Sequence, residues 1–355
     1  MLDVSSRTFG MLELRRLGGT VRAGAPFLAC AVAMLCAPPA AARAARYRVV
    51  DTAETYSMPK AVLLSPDEAT AYVTNFGRRD AKNVGIYRTD TMEETGVIEF
   101  EGNGVEMVIT RDGSTLYVSN FRRGMVEVID LATSTVVAEI EVGANPKTMA
   151  ISADERTLYV SNWSSDDVSV VDLIERVEVR RLRVGHHPRG IAVSSGGVLV
   201  VGNHADHTLS FFDTSTFDEI RDEVPCGRYP RHVIVSPDQR FFYVSAQVSA
   251  AVFQVDVATG EVLQRWAGGY SPKTIDVSAD GRWIFSAAYG AHEMVVIDTE
   301  DGTARDFTIE GIEKPCGLDA TADGRRVYVT GWDDCHLYVL ERDEEPPAAE
   351  PPPAD

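Results

Sequence analysis

Five basic residues stand directly after a recurring marker, and their spacing is the first chemistry the sequence offers. Lys60, Lys147, Arg189, Arg231 and Lys273 follow Pro59, Pro146, Pro188, Pro230 and Pro272. Cations repeated at one register position would surround a common axis and present a focused field to an anion. The two guanidiniums suit bidentate carboxylate or phosphate contacts, and the three ammoniums act as point charges. Val105 and Cys316 take this position in the two remaining repeats. A second recurring position reads Phe76, Phe121, Trp163, His204, Gln247, Tyr289 and Trp332. Its rings would wall a ligand site, or else wedge between repeats and carry the Lys and Arg stems.

Histidine adds a third signal. His186, His187, His204, His207 and His232 fall in neighbouring loops, with His292 and His336 on the same face. His187, His204, His207 and His232 are the candidates for a transition metal, but His204-Ala-Asp-His207 is a poor zinc spacing. His187, His204 and His232 would charge as pH falls through about 6.5 and strengthen anion binding in acid. For hydrolysis, Glu106, Glu293, His232 and His292 are the candidate acid/base groups. There is no Gly-x-Ser-x-Gly elbow, phosphate loop, His-Glu-x-x-His or Cys-x-x-Cys-His, so the sequence calls for no cofactor.

These residues are placed by an internal repeat. The prolines recur at a step of about 42 residues, the range of propeller blades, with Gly104 and Pro315 completing the series. Each unit then carries Tyr-Val-Thr/Ser-Asn or a weakened form of it. The phrase stands as Tyr72-Val73-Thr74-Asn75, Tyr117-Val118-Ser119-Asn120 and Tyr159-Val160-Ser161-Asn162, and fades to Phe285-Ser286-Ala287-Ala288. Four short β patterns per unit alternate with Asp-led turns such as Pro66-Asp67 and Asp112-Gly113. One such sheet cannot bury both faces until neighbours stack on it, which predicts an all-β fold of seven four-stranded antiparallel blades. Strand direction puts the basic and aromatic positions on one face and the acidic turns on the other.

The repeat resembles the YVTN-type β-propellers over about residues 47–341. The resemblance implies a seven-bladed ring and, for activity, a binding platform, a lactone hydrolase or part of a redox enzyme. The last unit lacks a fourth strand, and Tyr47–Ala53 is the segment available to supply it. The N-terminal strand should therefore close the ring.

Residues 1–44 read as an export signal: Arg15, Arg16 and Arg22 precede an apolar run, and Ala42-Arg43-Ala44 offers a cleavage site, with Met11 an alternative start. Lipidation at Cys30 or Cys36 fits poorly. Residues 45–342 form the propeller, and the acidic, Pro-rich segment 343–355 reads as a disordered tail. A periplasmic or secreted monomer with no membrane span in the mature protein follows. The net charge of −19 argues against nucleic acid as a partner. Cys226, Cys316 and Cys335 remain after export, and Cys316 with Cys335 is the candidate disulfide, against three separate thiols. The function expected is a binding module whose channel mouth takes an anionic small molecule or a partner's acidic segment without turnover. A lactonase-like hydrolase and a metal-binding or redox propeller are the rivals.

Overall fold

The computed structural model describes residues 46–77 and 82–343. The export segment, the lipidation candidates Cys30 and Cys36, and the tail from 344 onward lie outside the described residues. Strands β1 to β28, numbered in chain order, form seven four-stranded antiparallel sheets. The inner strands are β2 (Pro59–Leu64), β6 (Gly104–Ile109), β10 (Pro146–Ile151), β14 (Pro188–Val193), β18 (Pro230–Val235), β22 (Pro272–Val277) and β26 (Pro315–Ala320). Each inner strand packs beside the next, and β26 packs beside β2, so the blades make a closed ring. Among the described residues no helix is long and apolar enough to cross a membrane.

The third blade shows why these sequences take these places. Its second strand, β11 (Thr157–Asn162), is buried along nearly its whole length, whereas its outermost strand, β13 (Val177–Arg183), is largely exposed. Val and Leu therefore continue unbroken in the middle strands, and charge is tolerated only at the rim. The core lies between blades. Tyr117, Val126, Val128 and Ile140 of the second blade pack against Met149, Leu158, Val160 and Val171 of the third. Each such side chain contributes about 1.5–3 kcal/mol through burial.

The N-terminal strand closes the ring as the sequence predicts. β1 (Tyr47–Glu54) pairs antiparallel with β28 (His336–Arg342), outside β27 (Arg326–Gly331) and β26. The Tyr47 hydroxyl donates to Gly324 O over 2.6 Å, tying the start of the ring to the end of its sequence.

Candidate functional site

Two local devices aim the marker residues at the axis. Just after its first residue, every inner strand breaks register with its neighbour. Such bulges bend a strand and redirect its side chains. The Thr/Ser of the Tyr-Val-Thr/Ser-Asn phrase then fixes the break. Ser161 Oγ accepts from Thr148 N at 3.2 Å and donates to Arg189 O at 2.6 Å. Ser119 does the same between Glu106 N and Lys147 O, and Ser245 between His232 N and Lys273 O. The repeat phrase thus pins the backbone of Val105, Lys147, Arg189 and Lys273 to the blade before each. Gly190 and Gly317 permit the close approach, since a Cβ there would meet Val233 N at 2.8 Å and Ala61 Cα at 2.6 Å.

The mouth holds Lys60, Val105, Lys147, Arg189, Arg231, Lys273 and Cys316 around the axis. Lys60 Nζ pairs with Glu106 Oε1 at 2.8 Å. Lys147 Nζ lies 4.0 Å from the centre of the Phe121 ring and 5.6 Å from Trp163, and Lys273 Nζ lies 3.1 Å from Tyr289 and 5.2 Å from Trp332. Arg189 sits over Trp163 at 5.4 Å. Three of the five cations, Lys147, Arg189 and Lys273, therefore rest on aromatic faces. The collar continues from Trp332 to Phe76 to Phe121, and from Trp163 through His204 to Tyr229.

Charge in this ring departs from the sequence expectation of five equal cations. Burial, then the nearby Arg189, lowers the Lys147 ammonium to about 5, and burial lowers Lys273 to about 6. Burial likewise lowers Arg189 to about 9, helped by the charge of Arg231, so this guanidinium stays charged at neutral pH. Burial lowers Arg231 as well, so the ring does not present five equal charges at pH 7. The expectation that histidines charge in mild acid is also overturned for two of them. Burial takes His204 to about 3 and His232 to about 4.

Below the mouth the axis widens into a cavity of about 220 Å3 lined by Glu106, His232, Thr148, Thr274, Asp276 and Asp319 among apolar residues. Of the four acid/base candidates, Glu106 and His232 reach it and Glu293 and His292 do not. His292 Nδ1 instead meets Ile312 O. Tyr229, Asp276 and Asp319 were not foreseen. The two aspartates could have been found by comparing the fifth residue of each inner strand, where the other blades carry Leu63, Val108, Ala150, Ala192 and Ile234.

The metal candidates do not converge. His187 stacks on Trp163 at 4.6 Å, His207 turns its Nδ1 to His204 O, and His232 turns its own to Ile275 O. Among the described residues no group of three or more His, Cys, Asp or Glu is arranged to hold a metal. The disulfide candidate is also corrected: Cys316 and Cys335 are free thiols. Cys316 is fully buried at the axis with Lys273 Nζ 3.6 Å from its sulfur, while Cys335 lies in the loop between β27 and β28 with its sulfur near Asp333 O.

Comparison with known proteins agrees with this geometry. Residues 191–306 match the YNCE-like beta-propeller family, and residues 69–172 match the cytochrome D1 heme domain. The chain is a YVTN-like β-propeller. Among this propeller's relatives, a 6-phosphogluconolactonase of Enterobacter sp. is 29% identical over 119 residues, covering 31% of this chain and 36% of the relative. Antigen Lp49 of Leptospira interrogans is 24% identical over 127 residues, 32% of this chain and 28% of the antigen. The chain thus matches about a third of the length of these curated relatives. Hydrazine synthase of Kuenenia stuttgartiensis superposes with a TM-score of 0.71 at 19% identity, over 80% of this chain and 95% of that one. That likeness is one of fold.

The match to a heme domain does not bring a heme site. Residues 69–172 contain neither His nor Cys. Elsewhere His187, His207, His232 and His292 are engaged as described, His186 Nδ1 meets Asp206 and His336 Nδ1 meets Asp334 O, and His204 packs between Trp163 and Tyr229. The residues present do not fit the group.

Proposed function

We propose that this propeller is an exported binding module whose mouth takes an anionic small molecule or the acidic segment of a partner, without turnover. The observation that carries the reading is Arg231. It is 8% exposed, yet among the described residues its guanidinium has no hydrogen-bond or ion-pair partner. Arg189 beside it rests on the Trp163 face. A buried guanidinium beside a half-buried one of the same sign is costly unless an anion offsets them. Export rests on the composition of residues 1–44.

The test is calorimetry or thermal shift with anionic sugars, dicarboxylates and acidic peptides. Replacing Arg189 and Arg231 together by Gln should weaken binding by about 2–5 kcal/mol if the charges are desolvated. An unchanged affinity in the variant, or a wild type that no anion stabilises, would remove the mouth as the site.

A second reading is lactone hydrolysis, favoured by the similarity to 6-phosphogluconolactonases together with Glu106 and His232 in the cavity. Turnover of a phosphorylated sugar lactone that disappears on changing either residue would replace binding by catalysis.

A further inference from the structure

Asp276 and Asp319 stand where five other blades place Leu, Val, Ala or Ile, so two neighbouring carboxyls at this depth need a reason. Part of it is structural. Asp276 Oδ2 accepts from Ala320 N at 2.9 Å and Asp319 Oδ2 from Leu64 N at 2.6 Å, each stapling its blade to the next. The staple to the next blade uses one oxygen of each, and Asp319 Oδ1 accepts in addition from Ala320 N at 3.2 Å. The two carboxyls also hydrogen-bond to each other and both line the cavity. Burial raises both above the usual carboxylate range, a cost that a cation placed between them would remove.

At the other end of the same channel stands Arg231, more than nine-tenths buried and unpartnered. His232 and Glu106 line the cavity that the aspartates line, and the charge of Glu106 acts on both arginines, so the cavity lies beside the mouth. The arginines occupy the second residue of their inner strands and the aspartates the fifth. Three residues of strand separate the two levels by about 10 Å. Glu106 lies between the two levels and is paired with Lys60.

We propose that the channel takes an elongated zwitterion, its carboxylate or phosphate held by Arg189 and Arg231 and its protonated amine by Asp276 and Asp319. This rests on the reading of the mouth as an anion site and names the class of ligand. Charge of opposite sign at the two ends also fixes the ligand's direction and rejects dianions and diamines of the same length.

The experiment is a calorimetric series of ω-amino carboxylates of increasing chain length, beside alkyl carboxylates and α,ω-diamines of matching length. In the wild type, affinity should peak at one length and exceed that of the alkyl carboxylate by at least about tenfold. The pair Asp276→Asn and Asp319→Asn should abolish that gain and keep the alkyl carboxylate, whereas Arg231→Gln should weaken every carboxylate. Carboxylates that bind with no gain from the amine at any length would overturn the zwitterion alone. Failure of every carboxylate to bind would overturn the mouth reading with it. The wild-type series decides between these even if the double variant does not fold.

Discussion

Lys60 Nζ donates to Glu106 Oε1 over 2.8 Å across the boundary between the first and second blades, with the two side chains 6% and 14% exposed. Burial alone would raise the Glu106 pKa. The charge and hydrogen bond of Lys60, with the charges of His232 and Arg189, together more than offset it, and the carboxyl is held below its ordinary value. Breaking one side of a buried pair leaves the other charge uncompensated, so Glu106→Gln should cost about 3–5 kcal/mol in denaturant unfolding. The same change removes the one carboxylate paired within the basic mouth. Anion affinity should therefore rise while stability falls, and calorimetry on the variant reads this directly. A loss of stability with no gain in anion binding would place the ligand elsewhere.

Ring closure depends on Tyr47. Its ring packs edge-on against Phe285 and Phe307 at 5.8 and 5.6 Å, and its hydroxyl bonds to Gly324 O. Tyr47→Ala should cost about 3–5 kcal/mol, as for other large aromatic truncations in a core. Deleting residues 46–54 should lower the melting temperature far more than ending the chain at Asp343, because the first opens a blade edge along its length. Equal midpoints for the two truncations would show that β1 does not close the ring.

Thiol mapping separates the three cysteines among the described residues, Cys226, Cys316 and Cys335, by environment. Cys226 is buried in the core between the fourth and fifth blades, and burial raises its thiol to about 12. Cys316 is buried at the axis. Alkylation of the native protein should therefore mark Cys335 first, and denaturation without reductant should release all three. A Cys316–Cys335 bond recovered by peptide mapping would contradict the free thiols seen here.

The fold was legible because one phrase repeats. Proline, Tyr-Val-Thr/Ser-Asn and Asp-led turns recur at one period, and a strand that pairs only when neighbours stack leaves few architectures open. The membership of the mouth was legible for the same reason, since Lys60, Lys147, Arg189, Arg231 and Lys273 share a register position. Their charge states were not. A lysine reads as a cation in sequence, but Lys147 and Lys273 are placed against Phe121 and Tyr289 beside two arginines, and only packing reveals how dry that place is. Cys316 was misread for a related reason. Its repeat position pointed to the axis as firmly as that of Lys273, and pairing it with the loop residue Cys335 set that register aside.

Lys147 and Lys273 give the last prediction. Both amines are largely neutral at pH 7, with values lowered by burial to about 5 and about 6. An anion seated between them and the arginines favours their ammonium forms, so binding at pH 7 should take up protons. Calorimetric heats in two buffers of different ionisation enthalpy should differ by the uptake of about one to two protons, and affinity should rise as pH falls from about 8 to about 6. Stability without ligand runs the other way. In the unfolded chain both lysines titrate near about 10.4, so from about pH 5 or 6 up to that value the unfolded state holds the extra protons. Their contribution to stability therefore grows as pH rises across that window and is lost as pH falls through the folded values. A bound anion that recharges the amines removes this slope, and its stabilising effect should be largest at the acidic end. Measurable binding with no proton uptake would leave both lysines neutral in the complex and assign the anion to Arg189 and Arg231 alone.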